Sequence, residues 1–135
     1  MNPRLEHFLR RSTNREDNAA ATELLLLLKR DAGNFVTLAA LARRLVEAIV
    51  QAIVHERGAK AEAELIKKIE ALANHGVSPW MLSYMHLLRV FGNEAVHEKR
   101  KELRHPKTVN SWDLMVLLSC LDRVLEWELS TNRQS

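Results

Sequence analysis

Residues 78–104 read SPWMLSYMHLLRVFGNEAVHEKRKELR, and the spacing of apolar and basic residues in this stretch decides the fold class. Ser78 can cap a helix N-terminus through its hydroxyl, and Pro79 falls at the first helical position, where its missing N–H costs no hydrogen bond. Advancing about 100° per residue gathers His86, Arg89, Asn93, His97, Arg100 and Arg104 within an arc of about 80°. Tyr84, Leu88, Phe91 and Ala95 fall on the opposite side, which predicts an amphipathic helix with those four against a core. Leu82 and Val96 share the polar arc, so the stripe is expected to line a groove or a subunit contact rather than bare solvent. A glycine inside a helix costs about 1 kcal/mol relative to alanine. Gly92 therefore predicts that another element approaches closely there. The helix should stop at His105 and Pro106.

The same periodicity extends upstream. Thr13 and Glu16 form a capping-box pair before a helix over 14–31 that ends at Gly33. The five leucines 24–28 occupy every side of it, as in a helix enclosed by neighbours or used at a dimer interface. From Asn34 a second helix is predicted to Arg57, with Leu38, Leu41, Leu45, Ile49 and Ile53 at three- and four-residue steps and Gly58 as its stop. The other face of that helix carries Arg43, Arg44, Glu47 and Gln51. A third helix is expected over 59–75, with Leu65, Ile66, Ile69 and Leu72 on its apolar face and Gly76 closing it. Downstream, Trp112, Leu114, Leu117, Leu121, Val124 and Leu125 give a last helix, from about residue 110 to 129, a wide apolar face, with Asp113 in its positive first turn. The opening residues are readable as a short helix or a frayed arm.

No period-two alternation and no internal repeat compete with this reading. Glycine (4) and proline (3) are too few for a turn-rich β architecture. The expectation is an all-α, four- to five-helix up-and-down bundle over 13–130, preceded by an arm (1–12) and followed by a tail (131–135). At 135 residues the chain is long enough for one core without metal or disulfide staples. The single cysteine, Cys120, lies in an apolar run and reads as a buried inert thiol. The longest apolar run, 19–28, is broken by Thr22 and Glu23 and is shorter than the ~20 residues that span a bilayer. Residues 1–11 are polar and basic without a cleavage pattern, so a cytoplasmic chain with no membrane contact is expected.

The formal charge of +3 and sequence pI near 9.3 permit nucleic-acid binding without requiring it. The placement of charge is more informative. Arginines 89, 100 and 104, two imidazoles and a carboxamide along one stripe can hold phosphate, and histidine beside arginine can move protons near neutral pH. Lys99, Arg100, Lys101, Arg104, His105 and Lys107 extend the stripe as a track for RNA, although such a run also fits a solvated helix C-terminus. Histidines and the lone cysteine show no zinc spacing, and there is no H-E-x-x-H or phosphate-binding glycine loop, so neither metal nor cofactor is expected. Trp80, Trp112 and Trp127 read as packing residues, with base stacking as the alternative. Met81 and Met85 read as core.

Arg89, Gly92, Asn93 and His97 spell R-x-x-G-N-x-x-x-H, preceded one helix earlier by Leu41, Arg43 and Glu47 as L-x-R-x-x-x-E. Together they resemble a branch of the HEPN superfamily (higher eukaryotes and prokaryotes nucleotide-binding) known as a domain of unknown function, over roughly 19–129. The resemblance implies a HEPN-like bundle, a homodimer, and an RNA-linked role in a defence or toxin-type system. Catalytic members of the superfamily are metal-independent endoribonucleases that pair two R-x4–6-H motifs across a dimer. Carried over, His97, Asn93 and Arg89 would be the catalytic set, and His86, Lys99, Lys101, Arg100 and Arg104 would bind RNA or nucleotide.

The sequence departs from that pattern in two places. The gap between Arg89 and His97 is longer, and Gly92 stands before Asn93, where many active members carry arginine. The helical rise from Arg89 to His97 is about 12 Å, and Arg89 leans away from the histidine, whereas Arg100 leans back over it. Arg100 and His105 also satisfy R-x4-H, at the helix end. Structural alternatives stand beside each role: His97 as a structural or interfacial histidine, Asn93 as an orienting amide, Arg89 paired with Glu47 or another carboxylate across the bundle. The rival to an RNA-binding or RNA-cleaving module is a non-catalytic dimerisation or protein-interaction domain within a larger defence or restriction-type assembly.

Overall fold

The computed structural model describes residues 2–11, 15–31, 35–60, 62–101 and 111–130, with side chains apart from those at 2, 11, 15–18, 31, 95–101 and 111. Six α-helices occupy these residues: α1 (Asn2–Arg11), α2 (Arg15–Asp31), α3 (Phe35–Arg57), α4 (Leu65–Ala71), α5 (Pro79–Lys101) and α6 (Ser111–Ser130). A 3-10 turn, Leu72–His75, extends α4, and no strand occurs among the described residues. The Thr13–Glu16 capping pair lies outside the described residues.

The central element is α3, which packs against α2, α4, α5 and α6. Its apolar residues surround most of its circumference, with Leu38, Leu45, Ile49 and Ile53 fully buried. Such a helix must be enclosed, because burying a large aliphatic side chain contributes about 1.5–3 kcal/mol relative to leaving it in water. Its polar strip, Arg43, Arg44, Glu47 and Gln51, stays outside the core, as do Thr37, His55 and Glu56 toward its ends.

Helix ends follow the punctuation of the sequence. Gly58 takes φ 66°, a left-handed conformation that glycine adopts without a Cβ clash. The amides of Gly58 and Ala59 then donate to the carbonyls of His55 and Val54, closing α3 in a Schellman motif. Gly76 closes the 3-10 turn in the same way at φ 84°. At the start of α5, the Met81 amide donates to the Ser78 hydroxyl at 3.4 Å, the cap expected from the Ser-Pro pair.

Two expectations are corrected. The helix predicted over 59–75 begins only at Leu65, because nothing larger than alanine is available to bury before Leu65, Ile69 and Leu72. Lys60 and Glu62 instead form a local ion pair at 3.3 Å. Residues 2–11, set apart as an arm, form α1, whose Leu5 and Phe8 are buried in the common core. Arg4 fastens α1 to α6 by donating to Asp122 at 3.0 Å and Glu126 at 3.2 Å. That helix is the one beyond the four or five anticipated.

The remaining core agrees with the sequence. Leu24 and Leu27 are buried, Leu25 and Leu28 partly covered, and Leu26 alone of the five leucines is exposed. Met81, Met85 and Cys120 are buried. Burial pushes the Cys120 thiol above its ordinary pKa, so it stays protonated and unreactive. No helix among the described residues is long and apolar enough to cross a membrane.

Candidate functional site

The seam between α3 and α5 carries the sequence motif residues. Arg57, at the end of α3, donates to the His75 carbonyl just before α5 begins, while Gly92, midway along α5, meets Arg43 in the first half of α3. The two helices therefore run antiparallel. A Cβ added to Gly92 would lie 2.5 Å from both Cβ and Cδ of Arg43, closer than side-chain contacts allow. This is the close approach that a glycine inside a helix foretold, and it lays the Arg43 stem across the α5 backbone.

Arg43 then turns back to its own helix and donates to Glu47 at 3.0 Å. The alternative in which Arg89 pairs with Glu47 or another carboxylate is not realised among the described residues: Glu47 belongs to Arg43, and Arg89 has no ion pair there. The Nε atoms of both Arg43 and Arg89 are buried without a hydrogen-bond partner. An orphaned guanidinium N–H is costly, about 1–3 kcal/mol or more for a charged group, unless something accepts from it.

His86 lies half-buried one turn before Arg89 on α5. Burial holds its pKa below the ordinary 6.5, the neighbouring Arg89 cation lowers it further, and Glu70 of α4 pulls the other way. His86 is thus a neutral imidazole at neutral pH, able to donate or accept but adding no charge. Asn93, one turn after Arg89, is half-buried as well.

The described part of the predicted stripe, His86, Arg89 and Asn93, is therefore half-buried and not on the outermost face of α5. His86 lies within electrostatic reach of Arg89 and of Glu70 on α4. His97, Lys99, Arg100 and Lys101 continue α5, but their side chains lie outside the described residues, as do Arg104, His105 and Lys107 altogether.

The outermost face of α5 holds Trp80, 76% exposed, with Leu87 and Val90. On α6, Trp112 is 70% exposed, alongside Met115 and Val116. Packing was expected for all three tryptophans, and only Trp127 rests partly buried against the core. Trp80 and Trp112 stand in the first turns of their helices, before the apolar stripe has rotated onto the bundle.

Beyond Glu47 the polar strip of α3 opens into a groove of about 510 Å³ shared with α2 and α4. Arg44 at its edge pairs with Glu23 of α2 at 3.2 Å, and Lys68 of α4 faces it. The sequence had shown Arg44, Glu47 and Gln51 on one helix face. Lys68 carried no signal, because its relation to α3 depends on how α4 folds back. No group of three or more potential metal ligands occurs among the described residues.

Comparison with known proteins gives one finding. No curated protein and no solved structure matches the chain. A family model does match, over residues 26–131, which takes in α3 to α6 and all the motif positions, and the chain belongs to that family, the domain of unknown function DUF4145.

Proposed function

We propose that this DUF4145 domain is a HEPN-like module that binds RNA or nucleotide along the flank of α5 and cleaves RNA without metal as a homodimer in a defence or toxin-type system. The observation that supports it is Arg89, whose buried Nε has no partner and whose neighbours on the same flank are a neutral His86 and the amide of Asn93. A phosphate oxygen is the acceptor that such a guanidinium lacks. In this reading an attacking 2′-hydroxyl loses its proton to one His97, the leaving 5′-oxygen gains a proton from the His97 of a second copy, and Arg89 and Arg100 hold the phosphate charge. Two-fold symmetry supplies the second imidazole.

A second reading, a non-catalytic dimerisation or protein-interaction domain, draws support from the exposed Trp80, Leu87 and Val90 of α5 and Trp112, Met115 and Val116 of α6. Apolar side chains of this size grouped on neighbouring helices commonly mark contact surfaces. The deciding experiment incubates purified protein with mixed RNA in EDTA and compares wild type with His97→Ala. Cleavage lost in the variant supports the enzyme. Equal, contaminant-level cleavage in both, with RNA retention unchanged by Arg89→Ala, leaves only the interaction domain.

A further inference from the structure

Leu41, Arg43 and Glu47 of α3 have no part in the function proposed above. Leu41 is buried and belongs to the core, but Arg43 and Glu47 do not. Their ion pair, at 3.0 Å, sets the arginine one turn before the carboxylate, the weaker order for such a pair on a helix, and the two side chains are 31% and 44% exposed. A pair so placed adds little to the stability of α3. The rest of the contact is unfavourable on both sides. Arg43 Nε is buried and has no partner among the described residues, and the α5 residue it meets is a glycine, the poorest helix former after proline. An apolar residue at position 43 would fill the same seam without stranding a donor. Stability rules broken twice at one contact are a sign of a functional constraint.

The contact fixes how deeply α5 sits on α3. A Cβ at position 92 would meet Cβ and Cδ of Arg43 at 2.5 Å and Cγ at 2.9 Å, so the α5 backbone rests along the whole arginine stem. Asn93 follows Gly92 directly, and Arg89, with its own buried and unpartnered Nε, lies one turn before it. We infer that Arg43 is a positioning residue for the α5 flank: its stem sets the height of the backbone at Gly92, its pairing with Glu47 anchors that stem, and Arg89 and Asn93 are thereby held where they can meet an anion. This role rests on the reading of that flank as the ligand site and extends the site's support to a second helix. Arg43 acts through Gly92 and not on the ligand.

The experiment compares wild type with Arg43→Met, Arg43→Lys and Glu47→Gln in the full chain. Three quantities are read: the urea midpoint, the solvent exchange of the Arg89 Nε–H by NMR, and the affinity for a single-stranded RNA oligonucleotide. Arg43→Met keeps an apolar stem but loses the anchored tip and the stranded donor. Its urea midpoint should hold or rise, while Arg89 Nε–H exchange quickens about tenfold and RNA affinity falls by a similar factor. Arg43→Lys keeps both stem and charge and should restore exchange and affinity together. Glu47→Gln, at a half-exposed position, should quicken exchange in the same direction, and it decides the matter should Arg43→Met fail to fold. An arginine that only packs predicts a lower midpoint with exchange rising in proportion. Arg89 exchange indifferent to both Arg43→Met and Glu47→Gln, or altered only in step with lost stability, would overturn the positioning role. The exchange measurement needs no ligand, so a wild-type protein that binds no RNA would remove the function proposed for α5 while exchange still decides the role of Arg43.

Discussion

Gly92 of α5 sits directly on the side chain of Arg43 of α3, with no room for a methyl group between them. The contact is to the Cβ of Arg43 as well as to its Cγ and Cδ, so a swing of the arginine relieves only part of the overlap. Gly92→Ala gains about 1 kcal/mol of helix propensity and loses about 1–3 kcal/mol to overpacking. The expected net is destabilisation, read as a lower urea midpoint. The loss should persist in an Arg43→Ala background, because the Cβ contact remains. A more stable Gly92→Ala protein would show that the seam is looser than described.

The first helix belongs to the core. Leu5 is fully buried among residues of the other helices, so Leu5→Ala should cost about 2–5 kcal/mol. Arg4→Ala should cost much less, since the Asp122 and Glu126 pairs are partly solvated and such bridges contribute about 0–1 kcal/mol each. Chemical denaturation of both variants measures this. A Leu5→Ala protein as stable as wild type would return residues 2–11 to the status of an arm.

What the sequence revealed and what it hid have the same physical origin. Helix ends at Gly58, Gly76 and Ser78 were legible because capping is decided by the local backbone. The role of Gly92 was legible because a costly residue inside a helix implies a compensating contact. The partner of Glu47 was not, since an arginine one turn away on α3 and one on another helix suit a carboxylate equally in sequence, and only the packed geometry chooses Arg43. Likewise, a helical wheel gives the separation of polar and apolar faces but not which boundary faces outward. The described part of the polar stripe, His86, Arg89 and Asn93, is thus half-buried, and apolar Leu87 and Val90 face solvent. The burial of α1 depends on its packing against α2 and against α6, the latter more than a hundred residues away, as the Arg4–Asp122 pair marks.

Trp80 and Trp112, at 76% and 70% exposure, contribute little to the protomer. Trp80→Ser and Trp112→Ser should each change stability by no more than about 0.5 kcal/mol. If α5 and α6 form the dimer contact, the same variants should shift sedimentation toward the monomer while the protomer's melting stays put. A large loss of stability in a demonstrably monomeric sample would contradict the exposure.

His86 gives the fold a pH dependence of definite sign. Its folded-state pKa lies below the ordinary 6.5, through burial first and Arg89 second, so the unfolded chain binds its proton more readily. Stability therefore rises with pH between the folded pKa and 6.5, is complete above 6.5, and is lost as pH falls through that window. His86→Gln should flatten this segment of the stability profile. A bound phosphate would oppose the effect of Arg89 and raise the His86 pKa, which proton-coupled NMR titration with and without oligonucleotide would register. An imidazole titrating at or above 6.5 in the free protein would contradict the burial.

Arg89→Met separates structural from ligand-binding roles. Methionine keeps an apolar stem of similar reach and removes the buried Nε that has no acceptor. If Arg89 is there for the fold, the exchange should lower stability. If it is there for an anion, the fold is relieved of an unsatisfied donor, and stability should hold or rise by about 1 kcal/mol. RNA retention should weaken in the same variant, and the slope of log affinity against log salt should fall by about 0.7 for each lost phosphate contact on a single strand. A loss of stability with an unchanged salt slope would make Arg89 a packing residue and take the nucleic-acid reading of α5 with it.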